Sequence, residues 1–280
     1  MKSLNRQFAA AVSLSLALFL PAITFADNKA DAYKYAVEGK EAAKKGQWDK
    51  AIEAFRKAIE ADPKEANNHN NLGIALRSAG KLDEAIKAFS DGIETEPNNS
   101  ASYVNRGVAY TSQQKYDKAI EDLDRGIKLN PNNVAGYRFR AFAYLAIKDY
   151  KKAIDDYNVV LKEKDDPAIL DRRAFALWNL KEYDKSIADY NAIIKDKPKD
   201  KEGYLDRSYV YELKGDLAKG IADCDKVLSL EPTNEDAKNR KARLEYKQKG
   251  ALATPTPTAR PRRTLPPEAT PTPKPKKPGP

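Results

Sequence analysis

Residues that commonly carry chemistry are scarce in this 280-residue chain, which contains one cysteine and one histidine. A lone Cys224 cannot form an internal disulfide bond, and a lone His69 cannot supply a histidine cluster for a metal ion. The sequence also has no glycine-rich loop that could cradle a phosphate group, and no set of triad partners. These absences argue against an enzyme that uses any of those sites, and no metal or other cofactor is expected.

Long apolar runs are also rare, and the longest lies at the N-terminus. Phe8–Leu20 is apolar apart from two serines and follows a start that contains Lys2 and Arg6. A charged start, a short apolar middle and a small exit residue are typical of a secretory signal peptide. We therefore predict a signal peptide at 1–26, cleaved near Ala26, and an exported mature chain that is periplasmic or secreted. The alternatives are an uncleaved membrane anchor and a chance apolar N-terminus. No later segment is apolar enough to span a bilayer.

Basic charge is concentrated at the two ends of the chain. The formal net charge is +9, of which the predicted signal peptide contributes +2 and residues 250–280 contribute +5. The body, residues 27–249, is left with +2. Because a body that binds nucleic acid strongly would carry its own basic excess, nucleic acid is not an expected partner. Nucleic acid becomes a candidate partner only if residues 1–26 are not an export signal.

The prolines reveal an internal repeat. Pro63, Pro97 and Pro131 are each 34 residues apart. Pro198 follows Pro131 after 67 residues, which is one unit of 34 and one of 33, and the shorter unit carries Asp165 where the others have proline. Counting each proline as position 32 of its unit gives six repeats, which we number 1 to 6 in chain order. They are 32–65, 66–99, 100–133, 134–166, 167–200 and 201–234.

Each unit carries small and large residues at fixed positions. Positions 4, 8 and 11 share one face of a first helix, and positions 17, 20 and 24 share one face of a second helix. Small residues at positions 8 and 20 let the two helices approach closely, and large residues fill the space around that contact. His69 stands at position 4 and Cys224 at position 24, so both are predicted to fill the core rather than to bind a ligand or react. Gly46, Gly80 and Gly215 mark the turn between the helices.

This pattern resembles the tetratricopeptide repeat family, whose units are 34-residue helix-turn-helix hairpins. The resemblance implies an all-α fold, a right-handed α-solenoid of about six repeats within 27–249. It departs locally at Asp165, Ser186, Gly220 and Cys224. Residues 235–249 are predicted to form a capping helix whose outer face is polar and exposed to solvent.

The resemblance also implies a binding groove, formed by positions 2, 5, 6, 9, 12 and 13 of successive first helices, where members of the family bind peptides. The pattern by which some members grip a C-terminal carboxylate is absent here, because only an isolated asparagine matches it. Other members carry an asparagine at position 6 of successive repeats, a ladder that binds peptide backbone. Here only Asn71 and Asn105 keep that asparagine. The candidate groove residues are Asn71, Asn105, Arg138, Phe139, Phe142, Arg172, Phe175, Trp178 and Tyr209.

Repeats 4 and 5 place large aromatics at these groove positions, flanked by arginines. Aromatic residues and arginine dominate the energetics of interfaces, which favours a binding site. The alternative is that the aromatics pack between neighbouring first helices and bury one another. The sequence leaves both interpretations open.

Residues 250–280 form a proline-rich tail, with ten prolines among 31 residues. We expect an extended, partly polyproline-II segment, because it lacks the apolar residues of a packed core. It is either a spacer or disordered end, or a basic segment that docks on an anionic envelope surface. The candidate contacts for that surface are Arg260, Arg262, Arg263, Lys274, Lys276 and Lys277.

Two functional hypotheses follow. The first is an exported, non-enzymatic scaffold or adaptor that binds peptide segments of a partner protein in its groove. The second is an envelope-surface protein that attaches to anionic lipid or cell-wall polymer through its basic tail. An enzyme is not expected, because no constellation of catalytic residues is apparent.

Overall fold

Helices of similar length follow one another along the chain. The computed structural model describes residues 25–162 and 165–250, with side chains from residue 28 onward, and within these ranges the chain forms thirteen α-helices and no strand. The predicted signal peptide, apart from the start of the first helix, and the tail beyond Gly250 lie outside the described residues. The helices are α1 (Phe25–Lys44), α2 (Trp48–Ala61), α3 (Ala66–Ser78), α4 (Leu82–Thr95), α5 (Ser100–Ser112), α6 (Tyr116–Leu129), α7 (Val134–Ala146), α8 (Tyr150–Val160), α9 (Pro167–Asn179), α10 (Tyr183–Asp196), α11 (Lys201–Lys214), α12 (Leu217–Leu230) and α13 (Glu235–Gln248).

The helices pair in chain order. Each odd-numbered helix packs on the even-numbered helix that follows it, and each even-numbered helix packs on the next hairpin, up to α13 on α12. The first helices of neighbouring repeats are also in contact: α1 with α3, α3 with α5, and α5 with α7. The first six pairs coincide with the six predicted repeats, so the all-α solenoid is confirmed.

Positions 8, 20 and 24 form the interior of every hairpin and are buried in all six repeats. Position 8 is small because the second helix leaves no room there. A Cβ atom added at Gly73 would lie 2.5 Å from the ring of Phe89, and one added at Gly107 would lie 2.7 Å from Leu123. The close approach that the sequence predicts from its small residues is therefore a physical requirement.

The turn inside each hairpin uses a left-handed residue at position 15. Gly46, Gly80 and Gly215 have φ of 70°, 79° and 92°. The other three repeats place Gln114, Lys148 and Lys181 in the same region, with φ of 59°, 66° and 64°. In every repeat the following N–H donates to the carbonyl five residues earlier, a common way to end a helix.

Repeat 4 absorbs its missing residue at the end of its second helix. Helix α8 has 11 residues and ends at Val160, whereas the other second helices have 14. The next helix begins at Pro167, and Asp166 caps it by accepting from the N–H of Ala168 at 2.9 Å. The break is thus made by Pro167, two residues after Asp165, because proline suits the first position of a helix and disfavours helix before it.

An arginine–aspartate ladder, which the sequence analysis missed, ties the two helices of repeats 3 to 6 together. In each repeat the arginine at position 7 reaches the aspartate at position 23 with two hydrogen bonds. In repeat 4, Arg140 Nε and Nη2 lie 2.8 and 2.7 Å from the carboxylate oxygens of Asp156, and this hydrogen bonding raises the pKa of Arg140. The four pairs are Arg106–Asp122, Arg140–Asp156, Arg173–Asp189 and Arg207–Asp223.

The same arginines also cross the boundary between repeats. Each donates its remaining Nη1 to position 25 of the preceding repeat, as Arg140 does to Asp124 at 2.6 Å and Arg207 does to Asn191 at 2.6 Å. The aspartate of each pair is almost fully covered. Charge-assisted pairs of this geometry fix both distance and orientation, so the ladder sets how each hairpin sits on the next.

Candidate functional site: the groove on the first helices

The groove positions 2, 6, 9 and 13 are spaced four, three and four residues apart, so they form one stripe along each first helix. On α1 this stripe consists of Tyr33, Val37, Lys40 and Lys44, all exposed. Position 13 is exposed in all six repeats. Position 6, by contrast, is exposed in repeat 1, half-buried in repeats 2 and 3, and buried from repeat 4 onward. The floor of the groove is therefore most accessible at its N-terminal end.

Polar amides lie on the groove floor in repeats 2 and 3. Asn71 and Asn105 are both half-buried. The Nδ2 of Asn105 donates to Oδ1 of Asn70 at 2.9 Å, which joins α5 to α3. The two predicted asparagines thus share one part of the groove, and Asn71 presents its amide there without a hydrogen-bond partner among the described residues.

Repeat 4 closes the middle of the groove floor. Phe139 is only 2% exposed and packs in a cluster with Val104, Val108 and Leu123, while Phe142 is 9% exposed. Of the two interpretations, packing between first helices describes these two phenylalanines. The reason is that successive first helices approach closely enough for a large side chain at position 6 or 9 to fill the gap.

Repeats 5 and 6 keep their aromatics partly accessible. Phe175, Trp178 and Tyr209 are all half-buried, and we call them the aromatic patch. The ring centroids of Phe175 and Trp178 are 5.2 Å apart, and those of Trp178 and Tyr209 are 5.1 Å apart in an edge-to-face arrangement. These contacts hold the rings in fixed positions, and each ring still presents part of its surface to solvent.

The two predicted arginines differ in accessibility. Arg172 is 6% exposed, donates Nη1 to the carbonyl oxygen of Ala168 at 3.3 Å and lies over the ring of Phe142 at 5.8 Å. Arg138 is half-buried and engaged with other residues of the chain. Arg172 thus supports the groove from beneath, rather than offering its charge to a ligand.

Helix α13 closes the C-terminal end of the groove, which the sequence analysis did not foresee. Glu212, at position 12 of repeat 6, accepts from Arg243 and from Lys247, and its carboxylate lies 4.0 Å from Arg240. Arg240 also lies over the ring of Tyr209 at 5.2 Å. The sequence does show that these three cations are spaced so as to lie on one face of α13. It does not show the angle at which α13 docks, and the contact with Glu212 depends on that angle.

His69 and Cys224 both lie in the interior, as predicted. The Nε2 of His69 donates to the carbonyl oxygen of Pro63 at 3.1 Å. The Sγ of Cys224 lies 3.3 Å from Oγ of Ser208, which gives its own proton to the carbonyl of Gly220, and burial raises the pKa of the thiol. Neither group is placed to react with a substrate.

Within residues 25–162 and 165–250, no group of three or more acidic, histidine or cysteine side chains is arranged to hold a metal ion. In the same part of the chain, none of the helices combines the length and the apolar character that crossing a membrane requires.

Comparison with solved structures shows the same fold in proteins of low sequence identity. YrrB, described as a tetratricopeptide repeat protein with an unusual peptide-binding site, shares 20% identity at a TM-score of 0.63, over 69% of this chain and all of that one. PilF of Pseudomonas aeruginosa shares 17% identity at a TM-score of 0.63, over 77% of this chain and 99% of that one. A tetratricopeptide repeat protein of Parabacteroides merdae shares 23% identity at a TM-score of 0.58, over 79% and 88% of the two chains.

Comparison of the sequence with curated proteins finds no match. Models of the tetratricopeptide repeat match residues 37–101, 100–133 and 172–235, which together make up more than half of the chain. The match at 100–133 coincides with the hairpin of α5 and α6, and the other two matches begin within α1 and α9. The chain belongs to the tetratricopeptide repeat family.

Proposed function

We propose that this protein is a non-enzymatic scaffold or adaptor that binds peptide segments of a partner protein in its groove. The observation that carries this proposal is the aromatic patch, where Phe175, Trp178 and Tyr209 hold one another in place and remain only partly buried. Rigid aromatic side chains contribute large contact area at little entropic cost, since they are already ordered before binding. The description of YrrB as a peptide-binding member of the same fold supports the proposal.

The test is capture of partners from a cell-envelope extract by the full chain, compared with its Trp178→Ala variant. We expect Trp178→Ala to lose the captured partner, and to lower the temperature of thermal unfolding no more than a matched tryptophan substitution outside the groove does, because the indole is only partly buried. The chain offers a matched control in Trp48→Ala, since Trp48 is also half-buried but lies on α2, away from the groove. Equal loss of binding in both variants, or in neither, would contradict a groove site at the aromatic patch.

We further propose that the protein acts outside the cytoplasm, on the strength of the charged start and short apolar run within residues 1–26. A tagged full-length chain should be found in the periplasmic or secreted fraction with its first residues removed. Recovery of the intact chain from the cytoplasm would rule this out.

A second candidate function is attachment to an anionic envelope surface through the tail, favoured by the net charge of +5 in residues 250–280. Deletion of 250–280 should release the protein from envelope fractions at low salt, and high salt should have the same effect on the full chain. If the deletion leaves association unchanged, the tail has no such role.

A further inference from the structure

Acidic side chains are absent from the groove positions of repeats 1 to 4 and return only in repeats 5 and 6. The N-terminal half of the groove carries basic residues and uncharged ones. The basic residues at its groove positions are Lys40, Lys44, Arg77 and Arg138. In repeats 5 and 6 the acidic groove residues are Asp171, Glu202, Asp206 and Glu212. Charge therefore divides the groove into a basic N-terminal half and a C-terminal half that holds all of its carboxylates.

Arg77 is a partly covered basic residue that the fold does not neutralise. It lies at position 12 of repeat 2, half-buried, and its Nε is covered without a hydrogen-bond partner. It makes no ion pair with any residue of the ranges that the structure describes, and burial alone lowers its pKa. Covering a charge without a counter-charge is unfavourable. The ladder arginines, such as Arg140, are comparably covered, yet each holds a carboxylate.

The surroundings of Arg77 are suited to an extended chain. Asn70, Ile74 and Arg77 share one face of α3, and the amide of Asn105 reaches that face from α5. On the neighbouring α1, Lys40 is exposed and forms no ion pair with any described residue. Asparagine amides can donate to and accept from a peptide backbone, while cations recognise carboxylates.

Exposed apolar side chains lie on α1, the first helix that contacts α3. Tyr33 is 74% exposed and Val37 is 39% exposed, and both lie on the α1 stripe with Lys40. Apolar side chains of this size are often covered. Glu41, four residues after Val37 on the same helix, is paired with Lys44, so Lys40 is the cation of this stripe that is left without an ion pair among the described residues. A segment that pairs with Arg77 can therefore also bury an apolar side chain against α1.

Resting on the peptide-binding function proposed above, we propose that repeats 1 to 3 of the groove bind an acidic, extended segment of a partner protein. An aspartate or glutamate side chain of that segment pairs with Arg77, Lys40 adds a second positive charge, and Asn71 and Asn105 hold the backbone. The tail of this chain is not the occupant, because its net charge of +5 is repelled by the same cations.

The test uses fluorescently labelled peptide pools of about twelve residues, long enough to extend across several repeats. One pool contains several glutamates at random positions, and two matched pools carry glutamine or lysine there instead. All peptides have amidated C-termini, so that no terminal carboxylate contributes. Binding to the full chain is measured by fluorescence anisotropy. We expect the glutamate pool to bind most tightly and its binding to weaken as salt is raised.

Two matched substitutions then locate the charge. Arg77→Gln should weaken binding of the glutamate pool about tenfold, the size of one lost charge-assisted hydrogen bond, and leave the glutamine pool unchanged. Arg125→Gln removes the same charge from an exposed site on α6 and should change neither pool. Thermal unfolding of Arg77→Gln should stay at or above that of the parent chain, because an uncompensated charge is removed.

Equal binding of the glutamate and glutamine pools would overturn this inference, as would equal effects of Arg77→Gln and Arg125→Gln. If peptides bind and depend on Trp178 but not on Arg77, the acidic site is wrong and the peptide-binding function stands. If no pool binds and Trp178→Ala leaves partner capture unchanged, both proposals fail.

Discussion

At the scale of single residues, the turn inside each hairpin makes the strictest demand on the backbone. Position 15 is left-handed in all six repeats, but only three of them use glycine there. A side chain with a Cβ atom in this conformation costs about 1 kcal/mol or more, because Cβ crowds the following carbonyl oxygen. Repeats 3, 4 and 5 therefore carry a local strain that repeats 1, 2 and 6 avoid.

Lys148→Gly should raise the free energy of unfolding by about 1 kcal/mol, since glycine removes this strain. Lys148 is exposed, so no packing is lost. The same substitution at Lys151, which is exposed within α8, should lower the free energy of unfolding by about 1 kcal/mol, because glycine is a poor helix former. Urea unfolding of the two variants makes the comparison, and a change of the same sign in both would contradict the strain argument.

The sequence predicts the buried columns of the repeat because they depend only on contacts within one hairpin. Positions 8, 20 and 24 are recognisable from residue size alone, and all are buried. The burial of Phe139 is different, because it depends on how far α7 lies from its neighbours. Groove positions look alike in sequence whether the gap beside them is open, as at Val37, or filled, as at Phe139.

At the scale of helices, the ladder and the apolar core offer two solutions to the same packing problem. Repeat 2 carries Leu72 and Ala88 at positions 7 and 23, where repeat 4 carries Arg140 and Asp156. The ladder was visible in the sequence as arginines and aspartates 16 residues apart, in repeats 3 to 6. It went unrecognised because charged residues on helices are usually solvated, and only the structure shows that the aspartates are covered.

Asp156→Ala should lower the free energy of unfolding by about 2 kcal/mol, below the 3–5 kcal/mol of fully buried pairs because Arg140 remains partly exposed. Combining it with Arg140→Leu, which recreates the residues of repeat 2, should recover most of that loss. Chemical unfolding of the single and double variants measures both effects. A double variant less stable than the single one would show that the ion pair contributes more than apolar packing can replace.

At the scale of the whole molecule, stability is distributed along a line of hairpins, each of which contacts only its neighbours. The ends therefore open more easily than the middle. Helix α13 covers the last repeat, where Leu244 is fully buried and lies against Gly220. Cys224, the one thiol of the chain, is fully buried beneath it and reports any opening of this end.

Leu244→Ala should speed the reaction of Cys224 with a thiol reagent by about thirtyfold or more in native buffer, since a buried leucine contributes about 2–5 kcal/mol and each 1.4 kcal/mol is about a factor of ten. Leu76→Ala makes the same change in the core of repeat 2 and should leave the rate nearly unchanged. The rates are followed by absorbance of the released reporter group. Equal acceleration by both substitutions would mean that the chain opens as a single cooperative unit.

The ladder has a further consequence for how such a chain can grow. Repeats 2 to 5 each offer an acceptor at position 25, and repeats 3 to 6 each carry the arginine that uses the acceptor of the repeat before it. If residues 167–200 were duplicated, the position-7 arginine at the new junction would therefore still find an acceptor at position 25 of the repeat before it. Repeat 1 instead has Arg56 at position 25, which would repel a following arginine, and repeat 2 meets it with the uncharged Leu72. Repeat 2 therefore joins repeat 1, which has a cation at position 25, to the repeats that have an arginine at position 7. A rearrangement that removed repeat 2 from this place would bring those two kinds of cation together.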